Sequence, residues 1–184
     1  NSTDPYVIAN LTITGSGGHC LEIKNSDKYF VVRNCTMSDS GSNSAGIRLH
    51  NVTNGKLSIN TCHSNGYGLI MTDVESTVIL DNSFNESKKA IVMTNCKDNE
   101  ISGNFLYSNE FFGIQLADCD SNTFTGNTIR DNNQSGVYAS KCRLNSFSSN
   151  QLRNNKENGV YFIESNNNTL ETNDIQSNIH GINM

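Results

Sequence analysis

Asparagine returns along this chain at a nearly fixed interval, and the interval limits the folds open to it. Asn10, Asn34, Asn60, Asn82, Asn104, Asn127, Asn150 and Asn173 follow one another at 24, 26, 22, 22, 23, 23 and 23 residues. A period of this length marks a repeat architecture, in which one short unit stacks on the next. Other columns keep step. A small residue opens each unit at Gly46, Gly68, Ala90, Gly113, Gly136, Gly159 and Gly181, and an aliphatic one follows at once. Leu57, Ile79, Ile101, Phe124, Phe147 and Leu170 form an apolar column; Cys62, Phe84, Leu106, Ile129, Leu152 and Ile175 form another. Val52, Val74, Cys96, Cys119, Cys142 and Ser165 also stand in line. Asn10 and Asn34 fit less well, with one extra residue before the next apolar position, which indicates a local register change.

Within a unit the apolar residues alternate over three to five positions and are cut by Gly, Asn, Asp and Ser. That pattern indicates very short strands and tight turns, with no helical periodicity. Three strands per unit carry the chain through one circuit, and each strand pairs with its copy one unit later. The expected fold is all-β: a single-stranded, right-handed parallel β-helix, a solenoid of about eight coils of 22–26 residues. It has three short parallel sheets with asparagine ladders at the turns, and the right hand follows from the handedness of parallel crossovers. Stacked strands about 4.8 Å apart make this a rod of roughly 38 Å.

The asparagines fit the turns. Asn tolerates the left-handed backbone region better than other non-glycine residues. Copies one rung apart can also hydrogen-bond along the rod. Two further rows, Asn99, Asn122, Asn145, Asn168 and Asn65, Asn109, Asn132, Asn155, Asn178, bring the rows to three, one for each expected corner.

Composition then excludes several classes. One proline and no tryptophan suit uninterrupted stacking, since proline removes a ladder donor. A net charge of −5 without a basic run argues against nucleic acid, which is bound by clustered Lys and Arg. No twenty-residue apolar segment is present, so no membrane insertion is expected. Residues 1–184 make one domain that starts uncapped and stops mid-coil at "HGINM". A fragment of a longer protein is therefore expected, with neighbouring coils or domains as its partners. Cys96, Cys119 and Cys142 point inward in parallel on successive rungs, too far apart for disulfides, and are expected reduced and buried. The states of Cys20, Cys35 and Cys62 stay open.

The segments "GIQLADCDSNTFTGNTI" and "GVYFIESNNNTLETNDI" resemble the G-I-x-L-x-x-S-x-x-N-x-I-x-x-N-x-I unit of NosD-type β-helix repeats. These belong with the carbohydrate-binding and sugar-hydrolase β-helices of the pectate-lyase-like superfamily, and the chain is also similar to archaeal surface-protein repeats. The resemblance covers residues 46–184 closely and 8–45 loosely. It implies an extracellular, cell-surface or periplasmic protein whose partner is a polysaccharide or surface glycan. If catalytic, the protein would be a polysaccharide lyase, an epimerase or a glycoside hydrolase, although no specific catalytic motif is present. Two other functions are consistent with it: a structural surface rod without a ligand, and a NosD-like role in periplasmic copper-site maturation.

The residues that would make a glycan site face outward. Glu22, Arg48, Ile70, Val92, Gln115, Tyr138 and Tyr161 share one outward column. Tyr138 and Tyr161 on adjacent rungs form an aromatic surface with polar tips, suited to a sugar ring. Gln115, Lys141 and Arg143 flank it, and Asp118 and Asp120 add acceptors. A cross-strand aromatic pair that only stabilises the sheet would look the same in sequence. No cofactor is expected, and calcium stays open without a specific motif for it. Lyases of this superfamily hold calcium with several aspartates, whereas Asp73, Asp98, Asp118 and Asp120 are spread over three rungs here and calcium takes six to eight oxygens. The histidines His19, His50, His63 and His180 fall in different columns or on distant rungs, so no metal set is assigned.

Overall fold

The computed structural model describes residues 3–184. Every regular element among them is a short strand, and the strands form three eight-stranded parallel sheets in which each strand pairs with its copies one coil before and after. One coil shows the plan. Ile114–Ala117 belongs to sheet C, Thr123–Thr125 to sheet A and Thr128–Arg130 to sheet B. Register follows the apolar columns: Ile101 pairs with Phe124 and Phe124 with Phe147 in sheet A, while Leu106 pairs with Ile129 in sheet B. The expected β-helix is the observed one. No helix is long and apolar enough to cross a membrane among the described residues.

The core is a narrow file of side chains. Ile114, Leu116, Cys119, Phe124 and Ile129 of this coil are buried, as are their copies in neighbouring coils. Phe124 stacks on Phe147 with ring centroids 4.5 Å apart and planes inclined by 5°. Pairing between coils fixes the rung spacing, so each ring has one neighbour above and one below.

The corners depart from the expectation in three ways. The left-handed residue is not the ladder asparagine but the one before it. Ile59, Asp81, Ser149 and Thr172 precede Asn60, Asn82, Asn150 and Asn173 with φ between 52° and 57°, and Gly103 and Gly126 do so at 64° and 65°. The left-handed residue turns the chain, and the next side chain then points inward. Asn10 and Asn34, with φ of 61° and 51°, occupy this turning position. The inward place beside Asn34 belongs to Cys35, whose N–H donates to Asn60 Oδ1 at 3.0 Å. Asn10 and Asn34 are therefore outside the ladder, and the extra residue noted in the sequence is the cause.

There are also four corners in a coil, not three. The fourth holds Val52, Val74, Cys96, Cys119, Cys142 and Ser165, each after a left-handed residue (Asn51, Asp73, Asn95, Asp118, Lys141, Glu164). A single bridging residue separates this corner from the Asn99 row, in the series Glu75, Lys97, Asp120, Arg143 and Asn166. Finally, the row containing Asn65 and Asn109 passes through Ser87, whose Oγ accepts from Asn65 N–H at 3.2 Å.

The ladders replace backbone pairing where the chain bends. Asn104 donates from its backbone N–H and from Nδ2 to Asn127 Oδ1, at 2.9 and 3.0 Å, and Nδ2 also reaches Ile79 carbonyl at 2.8 Å. Asn127 repeats this one rung on, with Asn150 and the Ile101 carbonyl. A buried corner N–H that found no acceptor would cost stability, and the amide supplies one. At the fourth corner Cys119 Sγ donates to Ala117 carbonyl at 3.2 Å and Cys142 Sγ to Ser140 carbonyl at 3.2 Å. Ser165 Oγ makes the same contact with Ile163 carbonyl at 2.9 Å. All six cysteines are free; Cys96, Cys119 and Cys142 are buried as expected, and so are Cys35 and Cys62. Burial pushes the Cys62 thiol well above its ordinary pKa.

Candidate functional site

Sheet C carries the outward column named from the sequence. Glu22, Arg48, Ile70, Val92, Gln115, Tyr138 and Tyr161 lie side by side on successive strands. The two tyrosines touch with centroids 5.7 Å apart, but their planes meet at 86°. They do not form a flat surface together. Tyr138 instead stacks on Phe112, at 5.0 Å and 25°, so that each ring covers part of one face of the other. All three rings are partly exposed. Edge-to-face and offset-stacked geometries both stabilise aromatic pairs, so the cross-strand contribution is present whether or not a ligand binds.

Next to these rings the structure reveals a group that the outward column missed. Lys89 opens its strand opposite Tyr67. Its ammonium lies 5.9 Å from the Tyr67 ring centroid, 6.0 Å from Phe111 and 5.7 Å from Phe112. Nζ donates to Gln115 Oε1 at 2.7 Å. Partial burial lowers its pKa from the ordinary lysine value. The sequence signal was available: the position just before the small-residue column reads Tyr67, Lys89 and Phe112 on three successive coils.

Lys141, Arg143, Asp118 and Asp120 gather elsewhere on the same side of the rod, at the fourth corner. With Asn95 and Glu164 they line one depression, which is continuous with a second lined by Asp73, Glu75 and Lys97. The charges alternate from coil to coil: Asp73 and Glu75, then Lys97, then Asp118 and Asp120, then Lys141 and Arg143, then Glu164. Opposite charges on adjacent rungs stabilise one another, whereas like charges would repel. Arg143 Nη2 meets Asp120 Oδ2 at 2.9 Å, and Lys97 Nζ meets Glu75 Oε1 at 3.1 Å. The hydrogen bond that Arg143 donates to Asp120, and the Asp120 charge, raise the Arg143 pKa. The sequence grouped Lys141 and Arg143 beside the tyrosines, but Arg143 already has a carboxylate. Asp98 lies apart from this corner, as the left-handed residue preceding Asn99.

The aromatic group and the charged corner are joined by one strand. Tyr138 is three residues before Lys141, roughly 10 Å along an extended chain. Gln115 belongs with the rings, held by Lys89, and not with the corner.

A family model described as the right-handed β-helix region matches residues 1–175. The chain belongs to the right-handed β-helix family. Among solved structures, this β-helix is similar to a mutant of the periplasmic alginate epimerase AlgG, at 19% identity and a TM-score of 0.77, covering 90% of this chain and 44% of that one. It is also similar to the A-module of the mannuronan C-5 epimerase AlgE6 of Azotobacter vinelandii, at 13% identity and a TM-score of 0.71, covering 98% and 57%. The enzymatically active domain of bacteriophage CBA120 tailspike protein 2 matches at 13% identity and a TM-score of 0.64, covering 91% and 37%. This β-helix thus spans about half the length of the epimerase structures. At such identities the likeness is one of fold. No curated protein sequence matches it.

Proposed function

We propose that this β-helix recognises a polysaccharide or other glycan on the outer face of sheet C. The observation that supports this is the run of partly exposed rings, Phe112, Tyr138 and Tyr161, in mutual contact on three successive coils. A sugar presents an axial C–H face that packs on an aromatic ring, and hydroxyls that bond to nearby polar groups. Gln115 stands beside the rings, with Lys141, Arg143, Asp118 and Asp120 at the far end of the face. Recognition would serve the rod alone or as part of a carbohydrate-active enzyme. The names of its fold relatives, two epimerases of alginate or mannuronan and a phage tailspike, support a glycan partner and an extracellular, cell-surface or periplasmic location.

Replacing both tyrosines, Tyr138→Ala with Tyr161→Ala, distinguishes this from a rod without a ligand. Each lost ring contact contributes about 0.5–1.5 kcal/mol beyond burial, so affinity for a polysaccharide bound by the parent on a glycan array should fall about tenfold. Circular dichroism should still show the parent fold. A folded double variant with undiminished affinity would remove this face from consideration.

A further inference from the structure

Lys89 differs from the other cations of this molecule. Seven of the thirteen Lys and Arg residues, among them Arg48, Lys97 and Arg143, form ion pairs with a carboxylate. Lys89 is one of the six that form none among the described residues, and its surroundings set it apart from the other five. It is partly buried, three rings surround its ammonium within about 6 Å, and its hydrogen-bond acceptor is the neutral Gln115. A lysine ordinarily keeps its charge in water or against a carboxylate. Here the charge is drawn into a half-dry aromatic setting, and burial lowers the pKa accordingly. Cation–π attraction offsets part of the desolvation. Two of the three protons on Nζ remain without a hydrogen-bond acceptor among the described contacts.

Position gives this charge a use. The Phe112 ring that Lys89 approaches is the one stacked on Tyr138. A ring ligand resting on the Phe112–Tyr138 pair would therefore bring its substituents beside the ammonium. At the charged corner, by contrast, Arg143 already pairs with Asp120, and Lys141 stands between Asp118 and Glu164 in its own column.

We propose that Lys89 is the anion-binding residue of the sheet C face, and that the glycan bound there carries an acidic group on the ring, a carboxylate or a sulfate. The proposal rests on the glycan reading above. The ligand's anion takes the free donors of Nζ while Gln115 Oε1 keeps the ammonium aimed, and the sugar ring packs against the exposed part of the Phe112–Tyr138 stack. Charge-assisted hydrogen bonds of this kind are about twice as strong as neutral ones, and partial burial shields them from salt.

The test uses an oligo-uronate and the same oligosaccharide after chemical reduction of its carboxyls, measured by calorimetry against wild type, Lys89→Gln and, as a control on sheet A, the exposed Lys56→Gln. Wild type and K56Q should bind the uronate about tenfold or more tightly than the reduced sugar. K89Q should bind both alike, at the affinity of the reduced sugar. In parallel, the lysines of the wild-type protein are labelled biosynthetically with carbon-13 at Cε, which leaves every Nζ proton in place. The Lys89 Cε resonance should move on adding the uronate and stay fixed on adding the reduced sugar, which keeps the idea testable if K89Q misfolds. Undiminished uronate preference in folded K89Q, or an unmoved Lys89 resonance at saturation, overturns the role of Lys89 alone. Binding of neither sugar to wild type overturns the glycan reading and this inference together. A sulfated oligosaccharide and its desulfated form complete the comparison under the same criteria.

Discussion

Replacing Asn122 with aspartate is expected to destabilise this protein by about 3–5 kcal/mol at neutral pH. Asn122 is fully buried. Its Nδ2 donates to Cys96 carbonyl, Asp120 carbonyl and Asn145 Oδ1 at 2.9, 3.1 and 3.0 Å. Its Oδ1 accepts from the backbone N–H and Nδ2 of Asn99 at 3.1 and 2.9 Å. A carboxylate would keep the acceptor and lose both donor protons, leaving a negative oxygen against two carbonyls and another amide oxygen. Burial raises the pKa of such a carboxyl above its unfolded value of about 3.9. The penalty is therefore full above the raised folded pKa and fades as pH falls towards the unfolded one. Asn122→Leu removes the charge problem but orphans the Asn99 N–H, at about 1–3 kcal/mol without this pH dependence. Urea unfolding of both variants at pH 7 and pH 4 measures the difference. Equal losses for the two variants, or an aspartate variant unaffected by pH, would contradict this account of the ladder.

Phe124→Ala is expected to cost about 3–5 kcal/mol, and Phe124→Leu less than about 1.5. Phe124 lies between Ile101 and Phe147 in its column, fully buried and stacked on Phe147. Three sheets pin the coils at a fixed spacing, so the rod cannot collapse along its axis to fill the space left by a ring. Leucine suits the site because Leu57 and Leu170 occupy the same column in other coils. A cavity that costs no more than the leucine change would show that the coils can close up. Denaturant midpoints with unchanged slope settle the comparison.

Much of this architecture was legible in the sequence because each rung repeats the last. Register, for instance, follows from columns such as Ile101, Phe124 and Phe147, since a slip of one residue would turn every strand inside out. The asparagine rows were visible for the same reason. Their conformations were not. The left-handed position before each ladder residue is filled by Ile59, Asp81, Gly103, Ser149 and Thr172, and no single residue type identifies it. Stacking imposes that turn even on β-branched residues, for which it is unfavourable alone. Asn10 and Asn34 resembled ladder members because asparagine suits the turning position as well as the inward one.

The candidate site was legible only in part. Alternation placed Tyr138 and Tyr161 outward, but the 86° between their rings depends on side-chain rotamers and on Phe112. Phe112 and Lys89 lie just before the small-residue column, where the chain is leaving a corner and simple alternation does not apply. Arg143 was correctly placed as exposed, yet its pairing with Asp120 across a coil requires the register of the single-residue bridge. A column-by-column search for alternating charge would have found it.

The face itself can be located directly by following backbone amide chemical shifts of the wild-type protein as a bound oligosaccharide is added. Recognition on sheet C predicts shifts that centre on Phe112, Gln115, Tyr138 and Tyr161, weaken towards Lys141 and Arg143, and leave sheets A and B unmoved. Saturable shifts centred on sheet A or sheet B, with the Tyr138 and Tyr161 amides unchanged, would contradict it.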